Sequence, residues 1–246
     1  MSDRVSNRFM FAGPSFCGEE RLTAEAGGMM RVLPPVRRGD VESLVSAHPP
    51  GVLVLVDGNF HQCLSVGHAE IRAAIEAGWS VWGLSSMGAI RAYEMRHLGM
   101  KGYGRVYRCF YEHEDFRDDE VALVHEPVPP YHAVSEPLVH IRFFLRELVS
   151  RRLLTEPSER AILETFMSLW FGDRTLPLLR SILLETTPRH EEEVADLLAN
   201  FRRFRVKCRD LADFLRERPW GASRRAGYEE RPVNRSSSTT RESPNR

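Results

Sequence analysis

The chain has 246 residues, 42% hydrophobic and 28% charged, the balance of an ordinary globular protein with room for one large domain or two small ones. Lys+Arg and Asp+Glu both number 34, so no net charge recruits nucleic acid or an anionic membrane surface. Cys17, Cys63, Cys109 and Cys208 are scattered, with neither C-x-x-C nor Cys/His ligand spacing, which argues against a disulfide framework or a structural zinc site. No run approaches the roughly 18 apolar residues of a membrane span. The opening Met-Ser-Asp-Arg has no apolar signal segment, so a soluble cytoplasmic protein is expected. Lys101 and Lys207 are the two lysines, which narrows any chemistry that needs an amine.

In chain order, Arg8 to Gly13 predicts a short strand ending in Gly-Pro-Ser, and Glu19 to Ala26 a helix. Met30 to Leu33 predicts a second strand stopped by Pro34-Pro35, and Asp40 caps a helix through Ala47. Gly51-Val-Leu-Val-Leu-Val56 is continuously apolar and β-branched, the pattern of a strand covered on both faces; Asp57-Gly58 ends it. Ser65 to Ala77 predicts a helix stopped by Gly78, Trp79 to Leu84 a strand, and Ser86 to Leu98 a helix stopped by Gly99. This alternation predicts right-handed crossovers and a parallel sheet, with strands 51–56 and 79–84 as neighbours or near neighbours. From about Val134 to Leu215 the apolar residues recur at helical spacing, and from about residue 221 the chain is Arg, Ser, Thr, Asn and Pro. The expected fold is therefore α/β: a parallel sheet core over residues 1–132, a C-terminal helical region over 133–220 and a disordered C-terminal tail over 221–246.

Chemistry concentrates where strands end. In Trp79-Ser-Val-Trp-Gly-Leu-Ser-Ser-Met-Gly-Ala-Ile-Arg91 an apolar strand runs into two serines and then a helix. A serine there lies beside free helix N–H groups able to hold an oxyanion, with Met87 N–H the natural donor and Gly88 admitting a substrate to the backbone. The spacing is not that of G-x-S-x-G, and a helix cap is the competing reading. Asp57 ends a buried strand at the same sheet edge, as a site carboxylate or a turn residue. His61 and His68 follow it, His68 with Glu70 beside it; His68 can serve as a base or simply sit on the surface. Arg91 and Glu94 are spaced to pair on one helix face. Asp118-Asp-Glu120 with His125 reads as an exposed acidic loop, with partner docking or a metal site as sharper alternatives; no second ligand cluster supports a metal. No cofactor motif is present.

Taken together, Phe11-Ala-Gly-Pro-Ser15, Leu33-Pro-Pro35, Arg38-Gly-Asp40, Val56-Asp-Gly58 with Phe60, His68 with Glu70-Ile71, Ser86-Met-Gly-Ala89 with Arg91-Ala92 and Glu94, Gly99-Met100, Gly102, Gly104 and Asp118-Asp-Glu-Val-Ala122 resemble, in order, a TfuA-like protein. Glu136-Pro-Leu-Val139 with Ile141-Arg142 extends the likeness, which covers roughly residues 8 to 145. The resemblance implies a partner of a YcaO enzyme in backbone thioamidation of a peptide. It implies hydrolysis of the thiocarboxylate of a ThiS-like sulfur-carrier protein through a serine–lysine pair, and help in binding the substrate peptide. Ser86 falls at the family serine. The lysine is expected after His68, where this chain has Ala69. Lys101 lies on the order of 20 Å along the helix from Ser86, and Lys207 can approach only through the tertiary fold. The sequence therefore puts forward Ser86 as nucleophile, His68 as base and Asp57 as orienter, with Glu70, Met87, Arg91 and Glu94 as binding residues. The alternatives are an interaction protein that docks YcaO and peptide without catalysis, and an unrelated esterase-like hydrolase.

Overall fold

In the computed structural model, residues 7–59, 64–113 and 115–221 are described; Phe60, His61 and, apart from Gly221, the expected tail lie outside them. Five parallel strands, β1 (Arg8–Phe11), β2 (Arg31–Leu33), β3 (Val52–Leu55), β4 (Ser80–Leu84) and β5 (Lys101–Tyr103), form one sheet in the order β2-β1-β3-β4-β5. β3 and β4 pair directly, Val54 opposite Trp82 and Leu55 opposite Gly83, as the compact crossover requires. After β2 the chain returns to the other side of β1, so the sheet's topological switch point lies between β1 and β3. In open α/β sheets the crevice outside the carboxyl ends of such strands is the usual place for a ligand.

The two-residue period of the strands divides the core between the sheet faces. Phe9, Phe11, Leu53, Leu55 and Val81 pack with α2 (Asp40–Ala47), α3 (His68–Glu76), α4 (Met87–Met95) and α5 (Gly104–Glu112). Met10, Val54, Val56, Trp82 and Leu84 face the other way, against α1 (Glu20–Met29) and α10 (Val206–Glu217). The helices α6 (Leu138–Ser150), α7 (Glu156–Ser168), α8 (Leu176–Thr186) and α9 (Glu191–Ala199) surround a further apolar cluster built on Phe144, Phe166 and Leu179. Thus α10, from the helical half of the sequence, returns to the sheet through Leu211, Phe214 and Leu215.

Two local expectations need correction, and one strand was not predicted. The cap of α2 is Gly39, not Asp40; the Asp40 carboxylate instead accepts the Arg37 N–H at 2.8 Å. Strand β5 lies outside the predicted elements: Lys-Gly-Tyr is short and half polar, and it becomes a strand because β4 offers its free edge. The acidic stretch is an exposed loop only in part, Asp118 being exposed and Asp119 half-buried. Asp118–Val121 forms a 3₁₀ turn in which Glu120 is buried and receives Arg142 through two bonds, at 2.6 and 3.3 Å.

The turn from β4 into α4 lies directly on the end of β3. Gly88 N–H donates to Val56 O at 3.1 Å, and a Cβ on Gly88 would stand 1.8 Å from Leu55 O. A Cβ on Gly83 would stand 2.0 Å from Gly88 O. Backbone, unlike a side-chain tip, cannot swing aside. Gly88→Ala is therefore expected to destabilise the protein by about 3 kcal/mol or to prevent folding, read as the shift in a urea unfolding midpoint; an unchanged midpoint would contradict this packing.

Candidate functional site

Two sheet-edge loops meet at the switch point. After β1, Gly13-Pro14-Ser15 bends across the end of β3 because Asp57 holds it. One carboxylate oxygen of Asp57 accepts Gly13 N–H and Ser15 N–H at 2.8 and 2.9 Å, and the other accepts the Ser15 hydroxyl at 2.7 Å. Asp57 is buried and has three donors, so its described role is to clamp this loop. Nothing brings it to His68 as an orienter.

After β4 the chain makes a tight turn. Ser86 N–H donates to Leu84 O at 2.7 Å, and the residue between them, Ser85, has φ +63°. This is a γ-turn of the strained, positive-φ kind, a conformation concentrated at functional sites. Ser85 turns its hydroxyl to Lys207 O at 2.8 Å. Ser86 then occupies the N-cap of α4, with φ −132° and ψ −126°, yet its side chain makes no capping bond. A serine at that position ordinarily satisfies an N–H one turn on; this one is 2% exposed and lines a cavity of about 190 Å³.

The lining of that cavity also includes Lys207, Pro14, Gly58, Val121, Leu123 and Trp170. Lys207 is 1% exposed. Its Nζ donates to Val121 O at 2.9 Å, so the described partner of the amine is a carbonyl and not a carboxylate. Burial pushes its pKa below the usual lysine range, opposed by the negative charges of Asp57, Cys17 and Glu136. A lowered pKa makes the amine easier to hold unprotonated, the form in which it can accept a proton. Val121 is itself pinned: Arg142 grips Glu120, and buried Arg174 reaches the Asp119 carboxylate at 2.6 Å and the Asp119 carbonyl at 2.9 Å.

The remaining residues form a different cluster. His68 begins α3 with its side chain 55% exposed, and its Nε2 is 2.8 Å from Glu94 Oε2. The same Glu94 oxygen accepts Arg91 at 2.7 Å, and Arg91 also donates to Val66 O at 3.0 Å. Glu94 is eight residues along α4 from Ser86, about 12 Å of helix rise, and neither His68 nor Glu94 lines the cavity. Glu70 closes the start of α3 by accepting Gly67 N–H and joins it to α2 by accepting Gly39 N–H, at 2.7 and 3.0 Å. Ala69 is exposed on α3, outside the cavity. Lys101 lies across the sheet edge from the site, its Nζ 3.1 Å from Ser80 Oγ. Among the described residues no group of His, Cys, Asp and Glu could hold a metal ion.

The structure thus brings Ser86, Met87 and the Asp57-held loop together and adds Lys207, which sequence spacing could not place. Residues 57–175 match the model of the TfuA-like protein family. Over that stretch the chain is similar to TfuA-like proteins. The family is one of accessory proteins in thioamidation, and the matched stretch begins at Asp57 and includes Ser86 and Val121. Lys207 falls beyond it. No curated protein matches the chain, and among the described residues no helix is long and apolar enough to cross a membrane.

A buried, depressed lysine costs stability. Unfolded Lys207 is protonated below about 10.5, whereas the folded site disfavours the proton, so the penalty is present at neutral pH and fades as pH rises toward 10.5. Lys207→Met is expected to stabilise the protein at pH 7, with a smaller gain at pH 10. Urea unfolding at the two pH values measures both; a variant less stable at pH 7 would contradict the assignment.

Proposed function

We propose that this TfuA-like chain hydrolyses the C-terminal thiocarboxylate of a ThiS-like sulfur-carrier protein, supplying sulfide to a YcaO enzyme that thioamidates a peptide backbone. The observation that carries the reading is the uncapping Ser86 hydroxyl sharing a cavity with the buried Lys207 amine. Lys207 takes the place that sequence reasoning gave to His68, because the imidazole is engaged by Glu94 outside the cavity.

In the first step the neutral Lys207 amine takes the Ser86 proton as Oγ attacks the thiocarboxylate carbon. Negative charge gathers on the carbonyl oxygen beside the first N–H of α4, that of Met87. The C–S bond breaks, the ammonium returns the proton to sulfur, and hydrosulfide leaves with the carrier esterified to Ser86. Water then attacks the ester, giving its proton to Lys207; the C–O bond to Ser86 breaks, the serine is regenerated, and the carrier leaves as a carboxylate. The cavity suits a narrow, extended chain end better than a folded surface, and the exposed Trp170 at its lining offers a contact for the carrier body.

His68, Arg91 and Glu94 support the second reading, in which the chain docks YcaO and its peptide, because they form a partly exposed charged cluster away from the cavity. The two roles are separable. Ser86→Ala and Lys207→Met are expected to lower thiocarboxylate hydrolysis by 10²-fold or more while leaving co-purification with the cognate YcaO intact. His68→Ala distinguishes the bases: retention within a few-fold supports Lys207, and a 10²-fold loss restores the imidazole. In wild type the rate should rise with pH through the depressed Lys207 pKa, since the base acts unprotonated. Full activity in Ser86→Ala would discard the mechanism.

A further inference from the structure

Lys207 is separated from the serine turn by more than a hundred residues, and three hydrogen bonds fix it. Its Nζ is held by Val121 O. Its backbone N–H donates to His140 Nε2 at 3.4 Å, and its carbonyl accepts the Ser85 hydroxyl at 2.8 Å. Lys207 is the second residue of α10, where main-chain N–H groups lack intrahelical partners. The N-cap residue, Arg205, supplies no side-chain bond, and the acceptor comes from α6 instead.

That acceptor has one protonation state that works. His140 is buried, and its Nδ1 is 2.9 Å from Glu136 Oε2. With Nε2 accepting from Lys207, the ring proton resides on Nδ1 and points to Glu136, so the imidazole is neutral. Burial pushes the pKa of His140 down to about 4, against the pull of Glu136, which keeps this tautomer in place at neutral pH. Glu136 is steadied in turn by Arg205, whose Nε lies 3.0 Å from its other oxygen.

We propose that Ser85 and His140 are positioning residues that clamp the main chain of Lys207 and so hold its amine across the cavity from Ser86. The adjacent serines then divide the work: Ser85 does not line the cavity and ties down the lysine helix, while Ser86 faces the cavity. The strained φ of Ser85 fits this division, because it turns one hydroxyl to α10 and leaves the next residue to the site. The inference rests on the reading of Lys207 as base to Ser86. The charged or titratable groups around Lys207 are Asp57 after β3, Cys17 after the 3₁₀ turn Pro14–Phe16, Glu136 and His140 at the start of α6, and Arg205 beside it. A lysine released from its clamp gains water and approaches these carboxylates, and both changes raise its pKa.

Because the chain has two lysines, ¹³Cε-lysine labelling of the full protein yields two resonances, with exposed Lys101 as the internal reference. In wild type Lys207 titrates below the usual lysine range. Ser85→Ala and Ser85→Gly are both expected to move the Lys207 midpoint up by a pH unit or more. In the same variants kcat for thiocarboxylate hydrolysis should fall tenfold or more, with KM within about twofold. The glycine variant relaxes the positive φ, so it separates the hydroxyl from the turn's strain. His140→Leu should act in the same direction, and His140→Gln, which returns an acceptor near the Nε2 position, should recover most of the wild-type midpoint. An unchanged Lys207 midpoint in folded Ser85→Gly overturns the clamp, as does wild-type kcat in that variant. If the midpoints move as expected but wild type releases no sulfide, the clamp stands and the hydrolase reading falls.

Discussion

The site depends on an amine kept out of water. Transferring a lysine to the interior is costly unless the ammonium is paired or gives up its proton, and the described partner of Lys207 Nζ is a neutral carbonyl. That choice sets the surroundings. Val121 must be rigid to present its carbonyl, hence the grip of Arg142 on Glu120 and of Arg174 on Asp119. The start of α10 must be fixed, and His140 and Ser85 are the side chains that reach it. Asp57 is near enough to favour the ammonium, but its oxygens are already taken by Gly13 and Ser15. The polar groups around Lys207 are therefore an ordered set of acceptors and clamps around one buried amine.

The sheet supplies the other half of the arrangement. A parallel sheet with a switch point between β1 and β3 brings the 13–15 loop, Asp57 and the Ser85-Ser86 turn to one edge. Gly83 and Gly88 let α4 begin in contact with the backbone of β3. Without that close approach Ser86 would stand farther from the crevice. Helix α10 then closes the crevice from the other sheet face, with Leu211, Phe214 and Leu215 buried against Trp82 and Leu84. Each such side chain contributes on the order of 1.5–3 kcal/mol, so the helix that carries Lys207 is anchored by core packing.

Much of this was legible in the sequence where the signal is local. The apolar run 51–56 and the segment 79–84 announced paired parallel strands, and Asp57, Ser86 and Gly88 followed from what ends a buried strand. β5 was not legible, because Lys-Gly-Tyr is a strand by virtue of the edge it joins. His68 was a reasonable base from its nearness to Asp57 in sequence, yet α3 turns it to Glu94. Lys207 could not be placed at all: its periodicity says helix, and nothing local says which cavity the helix faces. The roles of Glu120 and Asp119 were not legible for the same reason, since Arg142 and Arg174, which pair with them, come from elsewhere in the chain. A contact across 122 residues, such as that of Ser85 with Lys207, is a property of the tertiary fold.

Rapid quenching of the chain with a thiocarboxylated carrier, followed by peptide mapping by mass spectrometry, tests the central claim directly. The account predicts the carrier's C-terminus esterified to Ser86, appearing before free carrier carboxylate accumulates and absent when position 86 is alanine. Sulfide release at full rate with no ester on Ser86, or with the adduct on another residue, would contradict it.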